Sequence, residues 1–132
     1  IIFNPDYIPT IPAAENEANL KFTTLIIETI KSGGLTKARN VYSTANGNPA
    51  LIEYKMRQEG FTQLENGNPK LALEIFEMNV IAYPQSAKAI QGLAEGYMET
   101  GKNELALKYF NESLRLNNDN PFVKDMIRKL EK

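Results

Sequence analysis

Cysteine and histidine are both missing from this 132-residue chain, and each absence removes a body of chemistry. Zinc sites built on thiolate or imidazole cannot form, and neither can a cysteine nucleophile or a Ser-His-Asp triad. The lack of cysteine fits an exported bacterial protein and a cytosolic one equally well. An excess of one charge is lacking too. Lys+Arg number 15 and Asp+Glu 16, a net charge of −1 with no block of like charges, so no nucleic acid partner is expected. No apolar run approaches the roughly 18 residues that a membrane helix needs, so no membrane insertion is expected either. The chain opens Ile1-Ile2-Phe3 without Met, which reads as a processed product or an excised piece. Its 42% hydrophobic and 23% charged residues are ordinary for one globular domain.

What is present is a period. Slid by 34 residues, three stretches superpose: Gly33, Gly67 and Gly101; Ala38, Ala72 and Ala106; Tyr42, Phe76 and Phe110; Phe22, Met56 and Ile90. Read for helix spacing and stop signals, the chain predicts seven helices and no strand. The first runs from about Glu17 to Lys31, with Leu20, Phe22, Leu25, Ile26, Ile27 and Ile30 forming a broad apolar face. Ser32-Gly33-Gly34 ends it, because glycine tolerates the left-handed turn. A second follows over about 35–45. Asn48 is expected to cap a third, with Pro49 at its first position and Ala50, Tyr54, Phe61 and Leu64 as its apolar stripe.

Asn66-Gly67-Asn68-Pro69 repeats the stop, cap and proline logic before a fourth helix to about Tyr83, with Leu71, Ala72, Ile75, Phe76 and Val80 inward. Pro84 closes that helix. Ser86 caps a fifth, to about Thr100, bearing Ile90, Leu93, Ala94 and Tyr97 on one stripe. A sixth over about 103–116 turns Leu105, Ala106, Tyr109, Phe110 and Leu114 inward. The last, over 121–131, shows Phe122, Val123, Met126, Ile127 and Leu130 on one face and charge on the other, as a terminal cap requires. Residues 1–14, with Pro5, Pro9 and Pro12, read as an extended linker. It is either an interdomain connector or a segment that lies in a groove of the repeats.

A 34-residue period with a small residue and an aromatic four positions apart resembles the tetratricopeptide repeat. That resemblance implies an all-α, right-handed solenoid of helical hairpins over 15–132. Three repeats fall at about 19–52, 53–86 and 87–120, followed by the capping helix. Residues 87–120 keep the family's characteristic positions almost throughout, with Ser113 where alanine is usual. Residues 53–86 depart at Glu59 and Gln63, where leucine and tyrosine are usual. A buried unpaired carboxylate is costly, so the helix carrying Glu59 is expected to be rotated or shifted to bring it toward solvent. In 19–52, Ile26 and Thr29 replace the small and aromatic residues.

The lead-in Ile2-Phe3-Asn4-Pro5-Asp6-Tyr7, then Ile30-Lys31-Ser32-Gly33-Gly34-Leu35, the run 73–80 and Tyr83-Pro84-Gln85-Ser86-Ala87 are similar to something more specific. They resemble the C-terminal tetratricopeptide extensions of bacterial serine hydrolases, of beta-lactamase-like or esterase type. This implies an exported, periplasmic parent whose catalytic domain lies upstream, although a cytoplasmic setting stays open.

No catalytic constellation is found in the chain itself. None of Ser32, Ser43, Ser86 and Ser113 has lysine three residues on, and there is no Lys-Thr-Gly or Gly-x-Ser-x-Gly element. Glu95 with Glu99 and Glu74 with Glu77 read as solvated helix faces rather than acid–base pairs. Asp119 lacks the central glycine and closing glutamate of a calcium loop. Neither a cofactor nor a metal is expected, and the chain reads as a non-enzymatic module for protein–protein or interdomain contact, or else as a stand-alone peptide-binding adaptor.

The resemblance points the second, fifth, ninth and twelfth residues of each leading helix into an inner groove. The candidate contacts are Leu20, Ile27, Tyr54, Arg57, Phe61, Lys88 and Gln91. Where chaperone-binding relatives clamp a C-terminal carboxylate, this chain has Thr23, Ile27, Gln58, Lys88 and Gly92. Only Lys88 suits such a clamp. Three protein occupants are open: segment 7–11 of the chain, a second copy, or an upstream catalytic domain. Equally, some of these side chains pack between helices instead.

Overall fold

A computed structural model describes residues 12–132. Six helical elements follow one another, and no strand occurs among the described residues. They are α1 (Glu17–Ala45), α2 (Glu53–Glu65), α3 (Pro69–Ala82), α4 (Ala87–Glu99), α5 (Asn103–Leu116) and α6 (Pro121–Leu130). α1 is a hairpin rather than a rod. Gly34 sits at φ 85° and ψ 175°, outside helical geometry. Phe22 and Tyr42 stack with ring centroids 6.3 Å apart, whereas twenty residues of straight helix would part them by about 30 Å. The seven expected helices are this hairpin and five more. The turn falls one residue beyond Gly33, the position that aligns with Gly67 (φ 79°) and Gly101 (φ 77°). Glu74 reaches across from α3 to accept the Leu35 N–H at 2.8 Å, capping the second limb where it leaves the turn.

The core is a series of overlapping clusters along the stack. Phe22, Ile26, Ala38, Met56 and Ile75 join α1, α2 and α3. Ala72, Phe76 and Leu93, with Phe61 and Tyr97 against them, join α2, α3 and α4. Ala94, Ala106, Phe110, Val123 and Met126 join α4, α5 and α6. Each hairpin therefore buries apolar side chains both between its own two helices and against its neighbours, so the stack shares one continuous core. Ala38, Ala72 and Ala106 are all fully buried.

Two buried polar residues brace the repeats. Asn79 Nδ2 donates to Glu53 O at 3.2 Å, and Ser113 Oγ donates to Ala87 O at 2.8 Å. Donors and acceptors are both one period apart, so the same bond ties α3 to the start of α2 and α5 to the start of α4. Asn79 Oδ1 has no hydrogen-bond partner.

Several expectations are corrected. Pro49 does not open a helix: the Asn48–Pro49 peptide is cis, and α2 begins four residues later at Glu53. The intervening backbone is held by α1 instead. Asn19 Oδ1 accepts the Ala50 N–H at 2.8 Å, Thr23 Oγ1 accepts the Ile52 N–H at 3.0 Å, and Leu51 and Ile52 are buried. Amides satisfied this way have nothing to gain from a helical turn.

The buried side of α2 is Met56, Gly60 and Gln63 rather than the stripe through Tyr54. Glu59 is therefore not rotated out; it stays partly buried and pairs with Lys31 Nζ at 3.1 Å, which supplies the cation that its burial requires. Asn68 makes no side-chain cap and donates to Gln63 Oε1 at 2.9 Å. Leu25, Leu105 and Phe122 are exposed, because no neighbouring helix covers their edges of otherwise apolar faces. Expectations for residues 1–11 lie outside the described residues.

Candidate functional site: the groove between α2 and α4

α2 and α4 lie side by side because small residues line their contact. A Cβ added at Gly92 would meet the buried Phe76 ring at 3.1 Å, a tight contact, and Arg57 Cγ at 3.4 Å, so the stem of Arg57 lies directly against this point of α4. At the N-terminal ends of the two helices a cavity of about 560 Å³ opens. Its lining includes Tyr54 and Arg57 from α2, Lys88 from α4, Asn117 beyond α5, and Pro12 and Ala13 of the lead-in.

Glu53 organises this end. Its carboxylate accepts from Arg57 Nε at 3.2 Å and from Ser86 Oγ at 2.5 Å. Ser86 Oγ in turn accepts the Ala89 N–H at 3.1 Å, capping α4. One carboxylate thus holds the groove's guanidinium and fixes the start of the opposite helix. Tyr54 stands 43% exposed. Beside it, Glu15 lies 3.5 Å from Lys55 Nζ. The Tyr54 hydroxyl holds the Glu15 carboxyl below its usual range, and the same contact raises the Tyr54 phenol. Asn19 Nδ2 donates to Ala14 O at 2.8 Å, so residues 14–15 are anchored at the mouth of the cavity.

One turn further along α2, a smaller hollow of about 300 Å³ is lined by Phe61, Leu64, Glu65, Glu95 and Glu99. Its floor is aromatic, with Phe61 edge-on to the buried Phe76 at 5.0 Å between centroids. Burial raises the Glu95 carboxyl, opposed by a hydrogen bond from Gln91 Nε2 at 3.3 Å. The groove is thus cationic at one end and acidic at the other.

Of the candidates named from sequence, Tyr54, Arg57 and Lys88 come together on the larger cavity, and Phe61 lies in the smaller one. Gln91 bridges Glu95 and the Asn120 side chain, whose Nδ2 donates to it at 3.0 Å. Leu20 and Ile27 line neither hollow, and Ile27 packs against the α1–α3 core. Glu53, Ser86 and Asn117 are not among the site candidates named from sequence, although Ser86 is the cap of α4 that the sequence predicts. They sit at the junctions between repeats, where a helix-face reading does not look. No group of three or more acidic side chains among the described residues could hold a metal ion. No helix among them is long and apolar enough to cross a membrane.

Solved structures share this architecture. The first TPR of Spaghetti (RPAP3), bound to the HSP90 peptide SRMEEVD, matches at 16% identity over 90% of this chain and 94% of that one, with a TM-score of 0.61. The Sgt2 TPR domain from Aspergillus fumigatus matches at 14% identity over 90% and 80%, TM-score 0.60. The Arabidopsis OM64 TPR domain matches at 19% identity over 85% and 96%, TM-score 0.58. No protein-family model and no curated protein matches the sequence. Identities this low speak for architecture alone, and the architecture is an all-α helical solenoid of the tetratricopeptide type.

Proposed function

We propose that this chain is a non-catalytic interaction module that holds an extended protein segment in the groove between α2 and α4. The observation that carries this reading is the half-exposed Tyr54 beside Arg57 and Lys88 over a cavity of about 560 Å³. Aromatic and arginine side chains at the rim of a hollow are the usual anchors of an interface. The RPAP3 domains bind HSP90 and HSP70 peptides in their own structures. Here Thr23 is buried against Ile52 and Gly92 lies under Phe76 and Arg57, so the ligand is read as an extended segment and not as a clamped C-terminal carboxylate.

A selection of displayed random peptides against the chain and its Tyr54→Ala variant tests the reading. Sequences enriched on the parent chain should lose about 2 kcal/mol, roughly thirtyfold in affinity, on the variant. Equal binding to both, or no enrichment, would remove this groove as the binding surface.

The resemblance of 30–35, 73–80 and 83–87 to serine hydrolase extensions supports a finer role. In it the module is the C-terminal accessory domain of a larger, exported bacterial hydrolase, and its segment partner is that catalytic domain. The stand-alone adaptor is the rival. Codons directly upstream of Ile1 that encode a Ser-x-x-Lys or Gly-x-Ser-x-Gly element would favour the first, and an unrelated reading frame there would sink it.

A further inference from the structure

We infer that Glu53 sets the specificity of the groove by making Arg57 a receptor for a neutral backbone carbonyl rather than for an anion. This rests on the groove being a binding surface for extended chain, and it names what that surface reads. Arg57 donates through Nε alone, to Glu53 Oε1 at 3.2 Å. The other carboxylate oxygen is taken by Ser86 Oγ at 2.5 Å. Neither Nη group of Arg57 has a hydrogen-bond partner among the described residues. The pair is therefore joined at one corner, and the outer fork of the guanidinium is left unengaged on a residue that lines the cavity.

The fork is held in place from two sides. Arg57 Cγ lies 3.4 Å from the position that a Gly92 Cβ would take, so α4 supports the stem. Glu53 is fixed by Ser86 and, through its backbone oxygen, by Asn79 Nδ2 at 3.2 Å. Charge and geometry then part company. Glu53 offsets the charge of the guanidinium but leaves its outer donors in place. An unpaired guanidinium favours a carboxylate or a phosphate. Here a second anion would meet repulsion from Glu53, whose side chain is only 13% exposed and poorly screened by water. A carbonyl oxygen has no net charge and can accept from both Nη groups. An extended chain makes no internal backbone hydrogen bonds, so it offers such an oxygen at every residue whatever its sequence. Arg57 thus grips backbone, and selectivity among side chains falls to the adjacent Tyr54.

Peptides enriched by the display selection are the probe. Replacing their backbone carbonyls one at a time by thiocarbonyls, which accept poorly, should find a position that costs about tenfold on the parent chain. The same replacement should cost less than about twofold on Arg57→Met, which keeps the stem and has no donors. Asp scanned along these peptides should at one position strengthen binding to Glu53→Gln at least about tenfold more than binding to the parent. Lys88 is common to both chains and cancels from that ratio. A merely structural role for Glu53 would weaken every peptide alike and could not create a taste for acid. The inference is overturned if no carbonyl has a cost that depends on Arg57, or if Asp helps both chains equally. Either result, with Tyr54→Ala still losing affinity, would leave the groove standing and remove only the part given to Glu53. No enrichment of any peptide would remove both.

Discussion

Replacing Gly60 with alanine exchanges a poor helix former for the best one, in the middle of α2. By backbone propensity alone the change should add about 0.5–1 kcal/mol of stability. The surroundings reverse the sign. A Cβ at Gly60 would lie 2.4 Å from Phe76 Cε1, 2.6 Å from Cζ and 2.8 Å from Cδ1. The ring cannot yield easily: Phe76 is fully buried, and Cβ atoms at Gly92 and Gly96 on α4 would come within 3.1 and 3.0 Å of it. Overpacking of this kind costs about 1–3 kcal/mol. The net loss should be about 1–2 kcal/mol, a fall in Tm of roughly 4–8 °C at this chain length.

Gly33→Ala is the internal control. Its Cβ would also meet an atom at short range, Lys37 Cδ at 2.5 Å. That atom belongs to a flexible, exposed side chain that can swing aside, so the propensity gain survives and Tm should rise by about 2–4 °C. Urea and thermal unfolding followed by circular dichroism measure both variants. Phe76→Leu added to Gly60→Ala should recover part of the loss, a coupling on the order of 1 kcal/mol or more. Gly60→Ala at or above the parent's Tm, or Gly33→Ala falling as far as Gly60→Ala, would refute the claim that the ring, and not the backbone, dictates glycine at position 60.

The remaining predictions concern polar groups. Asn79→Ser keeps a donor for Glu53 O and removes the orphaned Oδ1; it should be neutral or stabilising by about 1 kcal/mol, and a loss greater than that in urea unfolding would mean the oxygen has a partner. Glu95 has its carboxyl raised by burial, so the folded state holds a proton that the unfolded chain releases near the ordinary carboxylate pKa. That contribution is complete below about pH 4.5 and is lost as pH climbs through the raised value. Glu95→Gln should therefore unfold at a higher denaturant midpoint than the parent at neutral pH, with the gap closing in acid. An identical pH profile for the two proteins would refute the assignment.

Much of the fold is legible because the repeat writes each structural role at a fixed spacing. Ala38, Ala72 and Ala106 announce the same close approach three times, and all three are buried. Periodicity says which face of a helix is apolar, but not how far a neighbour covers it. Leu25, Leu105 and Phe122 therefore look like core and are exposed. The start of α2 was illegible for another reason. Pro49 carries a strong local preference for a first helical position, yet Asn19 and Thr23, about thirty residues earlier, claim the Ala50 and Ile52 amides.

The candidate site arises where the repeat breaks its own rule. At the fifth position of the first and third repeats stand Thr23 and Gln91, and each hydrogen-bonds the residue 29 positions on, Ile52 or Asn120. The middle repeat puts Arg57 there, facing Ser86 at the same separation. A guanidinium has only donors and suits a carboxylate better than a hydroxyl, so Glu53 stands between them, accepting from both. The junction is still tied, but now through a carboxylate, and an ion-paired guanidinium stands at the edge of the groove beside the exposed Tyr54. Aligning the three fifth positions shows Thr, Arg, Gln and marks the middle repeat as different. That Glu53 supplies the bridge emerges only once the Arg57 and Ser86 side chains are seen to converge on it.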